Sequence, residues 1–289
     1  MNNKPYIGII GGSGIYELDN LENTKWIKEK SLYGKPSDDI FTGTINDLNL
    51  AFLPRHGRSH NLLPSSINFR ANIDCLKKLG VTDIISLSAV GSLKENIKPG
   101  QFLIVDQFID RTISRKKTFF DEGIVAHVSM AKPTSEKLSK IILEAATKNI
   151  ELINGGTYLA MEGPQFSTLA ESNLYRSWNC DVIGMTNMPE AKLAREAEIA
   201  YATIAMVTDY DCWHPEHENV TVENIIKILN SNSEKAKSLV KNIIEYISTH
   251  EWSSDDPAYT ALDNAIITPI NARPDKAIKK IKNIAKRVL

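Results

Sequence analysis

Short apolar runs rich in β-branched residues recur along the chain, each bounded by glycine or polar residues. Such runs are typical of strands buried on both faces of a sheet. The predicted strands are 6–10, 48–53, 83–90, 102–109, 156–161, 181–185 and 201–207. Between some of them, apolar positions recur at helical spacing, over 65–80, 133–149 and 222–247. Strands alternating with helices predict one α/β domain, with a mostly parallel sheet covered on both sides.

The chain contains no internal repeat, no low-complexity tract and no linker rich in Pro, Gly or Ser. We therefore expect a single domain over 1–260 and a helical appendage over 261–289. The apolar side chains Ile281, Ile284 and Leu289 of this appendage suit an amphipathic, solvated helix. Because the appendage is rich in lysine, the alternative is a basic helix that binds nucleic acid. The near-zero net charge of the chain does not favour this alternative.

Composition narrows the class of protein. The 289 residues are 42% hydrophobic and 24% charged, with a formal charge of −1, so nothing favours nucleic acid or a membrane as a partner. Cys75, Cys180 and Cys212 lie far apart in no C-x-x-C pattern, which indicates a reducing compartment. The N-terminal apolar run is too short for a signal peptide, and no segment approaches the roughly 20 apolar residues of a membrane span. We expect a cytoplasmic protein.

The informative polar residues follow the predicted strands, where ligands gather in sheets of this kind. Ser13 follows the first strand in GGSGIYE, which lacks the third glycine of a dinucleotide fingerprint and the last glycine of a nucleophile elbow. Arg55 and His56 follow the second, and the planar fork of arginine suits a phosphate. A strand-to-helix turn and a solvated basic loop are the alternatives for these two stretches.

Three further strand ends supply small, apolar or aromatic residues. The stretch from Ser88 to Gly91 offers a hydroxyl and accessible backbone N–H groups, or else serves tight packing. Phe166 is a candidate stacking platform, although a core position is the commoner fate of phenylalanine. Met185 suits apolar lining, and Thr186 adds a hydroxyl.

The most unusual stretch is TDYDCWHPEHE, at 208–218. If the chain stays extended, Asp209 and Asp211 point to one side, with Tyr210 opposite. A metal site would recruit His214 or His217, but no H-x-x-x-H or H-E-x-x-H spacing is present. The alternatives are structural aspartates in caps or ion pairs, or a pair that recognises a ligand rich in hydrogen-bond donors. In the last case, an aspartate kept neutral by burial can donate a proton.

Taken together, GGSGIYE, PRHGRSHNLLPSSINFRANI, SAVGSL, MEGPQFSTLAES, MTNMPEAKLAREA and TDYDCW resemble the 5′-methylthioadenosine phosphorylases, a branch of the trimeric purine nucleoside phosphorylases. The resemblance covers nearly the whole chain. It implies a single α/β domain around a mixed, partly barrel-like sheet flanked by helices. It also implies that inorganic phosphate and S-methyl-5′-thioadenosine give adenine and S-methyl-5-thio-α-D-ribose 1-phosphate, in purine and methionine salvage. No metal or organic cofactor is implied.

The resemblance also implies roles for individual residues. Phosphate is held by Ser13, Arg55, His56, Ser88, Ala89 and Thr186. The base and ribose are lined by Phe166, Ile183 and Met185. The catalytic pair is Asp209, facing purine N7, and Asp211, facing the 6-amino group. The 5′-methylthio group is surrounded by Val222 and by His127 from a neighbouring subunit, with Ser167 and Val222 setting specificity.

The chain departs from the family pattern in two places. Ser13 and Ser88 stand where many relatives carry threonine, which retains the hydroxyl, and the tail 262–289 matches nothing in the pattern. The implied assembly is a homotrimer, or a hexamer of two trimers. The alternatives are a broader phosphorylase that accepts adenosine or 5′-methylthioinosine, a non-catalytic nucleoside-binding protein, and a metal-dependent hydrolase.

Overall fold

The computed structural model describes residues 4–12, 14–147, 150–215 and 222–289, without the side chains of 222–227 and 229. Within these ranges, eleven strands form one sheet. The strands are β1 (Tyr6–Gly11), β2 (Glu22–Ile27), β3 (Ile40–Ile45), β4 (Leu48–Pro54), β5 (Asp83–Ser92), β6 (Phe102–Ile104), β7 (Gln107–Asp110), β8 (Leu152–Asn154), β9 (Thr157–Ala160), β10 (Val182–Gly184) and β11 (Ala200–Asp209). The helices are α1 (Phe69–Lys78), α2 (Glu136–Ala145), α3 (Leu169–Ser177), α4 (Asn187–Glu196), α5 (Val222–Thr249) and α6 (Asp275–Ile281).

Strand β5 organises the sheet because it pairs with three other strands. It runs parallel to β1 at its beginning and parallel to β11 along nearly its whole length. At its end, Gly91 and Ser92 pair with β10 in the antiparallel sense. The sheet therefore divides at β5 into an arm β1–β4–β3–β2, an arm β10–β9–β7 and a branch β11–β6–β8.

The parallel strands bring four chain exits to the same edge. β4 is parallel to β1, β1 to β5, and β5 to β11, so their carboxyl ends point the same way. The residues that follow these strands in sequence must therefore meet in space. This edge is where the polar residues of the candidate site are expected.

The predicted elements are confirmed except where the hydrophobic pattern is weak or continuous. The single strand predicted over 102–109 is two strands, β6 and β7, which pair with different neighbours. The pattern missed β2, β3, β8 and α3. β2 is mostly exposed at the sheet edge, so its sequence ENTKWI lacks an apolar run. Antiparallel pairs β2–β3, β3–β4, β5–β10 and β6–β11 make the sheet mixed, as the family resemblance implied, while the other strand pairs are parallel.

The C-terminal segment packs on the main core. Leu262, Ile281 and Ile284 are buried in the same cluster as Ile10 of β1 and Phe69 of α1. Arg287 also pairs with the buried Glu198 through two hydrogen bonds, at 3.0 and 2.6 Å. In the part of the chain with described coordinates, we find no helix with the length and apolarity that a membrane crossing requires.

Candidate active site

A cavity of about 640 Å³ opens where the carboxyl ends of the strands meet. It is lined by residues at or after the ends of β1, β4, β5, β10 and β11. Among its walls are ten of the residues singled out from sequence: Arg55, His56, Ser88, Ala89, Phe166, Ile183, Met185, Thr186, Asp209 and Asp211. The fold thus brings into one space residues that are scattered over more than half of the chain.

The remaining predicted residues lie elsewhere or outside the described residues. Ser13 is outside them, as is the side chain of Val222, although Gly12 next to Ser13 lines the cavity. Ser167 is buried close to the aspartates, and its carbonyl oxygen accepts a hydrogen bond from Cys212 Sγ at 3.3 Å. His127 is exposed and does not line the cavity as far as the described residues define it.

Arg55 leaves the end of β4 pointing into the interior, where its guanidinium is bound on several sides. Nε donates to Oε2 of Glu190 at 2.9 Å, and Nη2 donates to Oε1 of the same carboxylate at 3.0 Å. Nη1 donates to the Leu87 carbonyl oxygen at 2.8 Å. Burial opposes the positive charge, but Glu190 outweighs this and raises the pKa of Arg55. The side chain is therefore a fixed cation at one wall of the cavity.

Three hydroxyl groups form a cluster next to Arg55. Ser88 Oγ lies 2.9 Å from Thr186 Oγ1 and 3.2 Å from Tyr158 Oη. Tyr158 reaches this position because Gly184 has no side chain, and a Cβ there would overlap the tyrosine hydroxyl. Hydroxyls and a guanidinium at one end of a cavity form a suitable site for an oxyanion such as phosphate.

His56 is held in one orientation in the same region. Its Nδ1 lies 2.8 Å from the Leu62 carbonyl oxygen, and its ring stacks on His60 with centroids 4.5 Å apart. Burial lowers the pKa of His56 to about 4, and the charge of Arg55 acts in the same direction. The ring is therefore neutral at neutral pH, with the proton on Nδ1 and an unprotonated Nε2.

The aspartates form the opposite, acidic wall. Asp209 ends β11, and its oxygens accept hydrogen bonds from Thr208 Oγ1 at 2.6 Å and from the Asp211 backbone N–H at 2.8 Å. Burial raises the pKa of Asp209, and the charge of Asp211 adds to the effect. Gly91 makes room for this wall, since a Cβ there would lie 2.8 Å from Asp209 Oδ1.

The chain does not stay extended between the two aspartates. Asp211 has a φ of 52°, in the left-handed region, so the backbone turns where the sequence pattern had suggested a continuing strand. Burial raises the pKa of Asp211, although the nearby hydroxyls of Ser172 and Ser167 oppose the shift, and its buried Oδ2 makes no hydrogen bond of normal geometry among the described residues. A buried carboxylate oxygen without a donor is costly, and a ligand that donates a hydrogen bond would satisfy it.

Apolar and aromatic side chains separate the two polar walls. Ile183 and Met206 are buried along the cavity, whereas Phe166 is 46% exposed and so can cover a ligand from the solvent side. A planar, uncharged ring fits between such surfaces, with its polar edge toward the aspartates.

Sequence reasoning missed the residues that support the polar walls. Glu190 and Ser86 hold Arg55, and Tyr158 holds the hydroxyl cluster. Glu190 had a detectable signal, because it lies in sequence shortly after Met185 and Thr186, at one of the predicted ligand-binding strand ends. Tyr158 had no such signal, since a tyrosine in an apolar run is typical of an ordinary strand. Across the described ranges, no three or more His, Cys, Asp and Glu side chains are grouped so that they could hold a metal ion.

Comparison with known proteins agrees with the geometry of the cavity. The family model described as "Phosphorylase superfamily" matches residues 6–245. An S-methyl-5′-thioadenosine phosphorylase of Rhodospirillum rubrum is 56% identical over 99% of this chain and 98% of its own length. The protein of the same name from Cereibacter sphaeroides is 53% identical, with 99% of each chain covered.

Solved structures agree with these relatives. A methylthioadenosine phosphorylase sourced from an antarctic soil metagenomic library superposes with a TM-score of 0.91 at 46% identity, covering 98% of this chain and 99% of its own. A methylthioadenosine phosphorylase from Schistosoma mansoni in complex with adenine gives a TM-score of 0.82 at 32% identity, covering 94% and 100%. The similarity therefore extends to the whole fold.

Proposed function

The chain belongs to the phosphorylase superfamily, and on that premise we propose that it cleaves S-methyl-5′-thioadenosine with inorganic phosphate. The products are adenine and S-methyl-5-thio-α-D-ribose 1-phosphate, so the protein is a pentosyltransferase. The observation that carries the proposal is the cavity itself, which has anion-binding groups at one wall and two buried aspartates at the other.

In the reaction, the bond between C1′ and the purine nitrogen breaks while a phosphate oxygen bonds to C1′. The electron pair of the broken bond goes to the purine, and positive charge develops on the sugar. Phosphate held by Arg55, Ser88 and Thr186, with a protonated phosphate oxygen donating to Nε2 of the neutral His56, stabilises that charge and then attacks. Because burial raises the pKa of Asp209, its neutral carboxyl group can give N7 a proton, so that adenine leaves uncharged. Solvent returns the proton to Asp209 after product release.

Asp211 explains the preference for adenine. Its Oδ2 is an acceptor without a donor among the described residues, and the 6-amino group of adenine supplies a donor. A 6-oxopurine presents an acceptor at the same place, so the acceptor Oδ2 of Asp211 would be left unpaired against it. Mismatches of this kind discriminate strongly.

The test is phosphate-dependent adenine release, measured on S-methyl-5′-thioadenosine, adenosine and inosine. We expect the highest kcat/KM on the methylthio nucleoside, a lower value on adenosine and almost none on inosine. Ligand binding without adenine release would instead indicate a nucleoside-binding protein, and efficient cleavage of inosine would contradict the role of Asp211. We also propose that no metal or organic cofactor takes part, so that activity survives dialysis against a chelator.

We further propose that the protein works as a homotrimer in the cytoplasm. Its three cysteines are free thiols, in keeping with a reducing compartment. Large apolar side chains are exposed near the mouth of the cavity, where Leu63 and Phe166 line the opening and Ile113 lies on the loop bound to Glu162. Exposed apolar groups of this kind mark protein interfaces. A neighbouring subunit there would bring His127 to the 5′ end of the nucleoside.

A further inference from the structure

One buried carboxylate in the structure touches the candidate phosphate site without belonging to it. Glu190 lies in α4 and is 1% exposed, and its side chain meets the guanidinium of Arg55, which is itself 2% exposed. Two charges removed from water to this extent are costly unless their geometry is favourable. The pair therefore calls for an explanation beyond ordinary packing.

The surroundings of Glu190 fix its carboxylate from several directions. Oε1 accepts hydrogen bonds from Ser86 Oγ and from Tyr201 Oη, both at 2.8 Å. Asn187 holds those two donors in turn, since its Nδ2 lies 3.0 Å from Ser86 Oγ and 2.7 Å from Tyr201 Oη. Arg55 thus meets a carboxylate whose position is set by a buried network.

This network leaves Arg55 little freedom. Glu190 takes Nε–H and one N–H of Nη2, Ser86 receives the other N–H of Nη2, and the Leu87 carbonyl oxygen takes one N–H of Nη1. Among the described residues, the other N–H of Nη1 has no acceptor. Because Arg55 lines the cavity, this is the donor left for a bound anion.

We propose that Glu190 is a positioning residue, which holds the Arg55 guanidinium in the plane that directs its remaining donor at phosphate. The inference rests on the proposed function, because it assumes that phosphate binds beside Arg55. Glu190 does not touch the phosphate. It acts through Arg55, as a partner that orients a ligand-holding side chain acts through that side chain.

Two roles for Glu190 predict opposite results when its charge is removed. If the carboxylate only balances the charge of Arg55, its removal leaves a stronger cation beside the site and tightens phosphate binding. If it positions Arg55, its removal weakens phosphate binding. In Glu190→Gln, the amide N–H₂ faces an N–H of Arg55 in either orientation, that of Nε at the Oε2 position or that of Nη2 at the Oε1 position, so the guanidinium must move.

The experiment measures the KM values for phosphate and for the nucleoside in Glu190→Gln, together with the Kd of inorganic phosphate by calorimetry. We expect the KM and the Kd for phosphate to rise by about 10- to 100-fold, the scale seen when such orienting partners are lost, while the nucleoside KM stays within about twofold of wild type. Glu190→Asp retains the charge and should recover part of the loss. Unchanged or tighter phosphate binding in Glu190→Gln overturns the proposal.

The matched control is Glu196→Gln, which removes another buried carboxylate from α4. Glu196 binds the Phe119 N–H and the Thr118 hydroxyl, both at 2.7 Å, and has no contact with Arg55 among the described residues. Its phosphate KM should equal that of wild type.

A second check uses Arg55→Ala. If Glu190 acts only through Arg55, the double variant binds phosphate as Arg55→Ala does alone, whereas additive losses overturn the proposal.

A second variant tests the proposal if Glu190→Gln does not fold. If Glu190→Gln is not recovered in folded form, Tyr201→Phe removes one hydroxyl from Oε1 and should raise the phosphate KM severalfold. An unchanged phosphate KM then overturns the proposal. Failure of the proposed function appears separately, as wild-type protein that binds phosphate without releasing adenine. In that case the calorimetric Kd values still decide the role of Glu190.

Discussion

Asp209 and Asp211 occupy different surroundings, although a single residue separates them. Both oxygens of Asp209 accept hydrogen bonds within the protein, whereas Oδ2 of Asp211 has no donor among the described residues. Burial raises the pKa of both carboxyl groups. The first is therefore suited to hold a proton in a fixed direction, and the second to accept a hydrogen bond from a ligand.

Replacing Asp209 by asparagine tests the proton-donor role. The amide can preserve the local geometry, because its oxygen accepts from the Asp211 N–H and its N–H₂ can donate to Thr208 Oγ1, whose hydrogen then turns from Oδ2 to the Val90 carbonyl oxygen. We expect kcat on S-methyl-5′-thioadenosine to fall by about 10²- to 10⁴-fold, the usual scale of general acid catalysis. The residual activity on 6-oxopurine nucleosides should fall much less. Steady-state kinetics on both substrate classes measures the difference, and equal losses would count against the assignment.

Helix α4 shows how one element serves both the site and the scaffold. Its first turn presents Glu190 to Arg55, whereas its last turn presents Glu196 to the backbone at Phe119. Burial raises the pKa of Glu196 to about 7, although hydrogen bonds from Phe119 and Thr118 oppose the shift. The same helix therefore carries an ion-paired carboxylate near its start and a weakly acidic one at its end.

The raised pKa of Glu196 makes the free energy of unfolding depend on pH. The folded protein binds the Glu196 proton more tightly than the unfolded chain, in which the pKa of this group is near 4.5. The stability that comes from this tighter binding is complete below about pH 4.5 and is lost as the pH rises to about 7. Glu196→Gln lacks the titration. We therefore expect the free energy of unfolding of Glu196→Gln to rise relative to that of wild type, by up to about 3 kcal/mol between pH 4.5 and pH 8.

Urea denaturation of both proteins at several pH values measures this change. All other titrating groups are common to the two proteins, so their contributions cancel. Glu136→Gln, which removes an exposed carboxylate, serves as the control for the loss of one acidic group. A difference between wild type and Glu196→Gln that is constant with pH would refute the prediction.

At the scale of the whole molecule, the segment that carries His127 is tied to the C-terminal chain. Ala126 and Ile266 form an antiparallel bridge, and the His127 N–H donates to the Ala265 carbonyl oxygen at 2.9 Å. The neighbouring side chains Ile267 and Ile270 are exposed. The C-terminal chain thus presents apolar groups beside a histidine that lies away from the cavity of its own subunit, as an interface between copies requires.

A monomeric variant should lose selectivity for the 5′ group. We expect Ile270→Lys, which places a charge on this apolar surface, to weaken assembly, as light scattering will show. In a verified monomer, the ratio of kcat/KM for S-methyl-5′-thioadenosine to that for adenosine should fall toward one, because His127 no longer reaches the neighbouring site. His127→Ala in the intact oligomer should lower the same ratio. Undiminished selectivity in the monomer would refute the prediction.

Much of the site was predictable because it consists of short segments at strand ends. The apolar runs located β1, β4, β5, β10 and β11, and the polar residues after them indicated where a ligand binds. Edge strand β2 and the division of 102–109 into two strands were not predictable, because exposure and pairing partner are not encoded in an apolar run.

By itself, the sequence determined the types of group that the site contains: guanidinium, imidazole, hydroxyl, aromatic ring and paired carboxylate. Only the tertiary structure decided their states. The turn at Asp211, the missing partner of its Oδ2 within the described residues, and the carboxylate of Glu190 beneath Arg55 depend on contacts between residues far apart in the chain. Burial and hydrogen bonding set pKa and orientation, and both arise only when the sheet brings distant strand ends together.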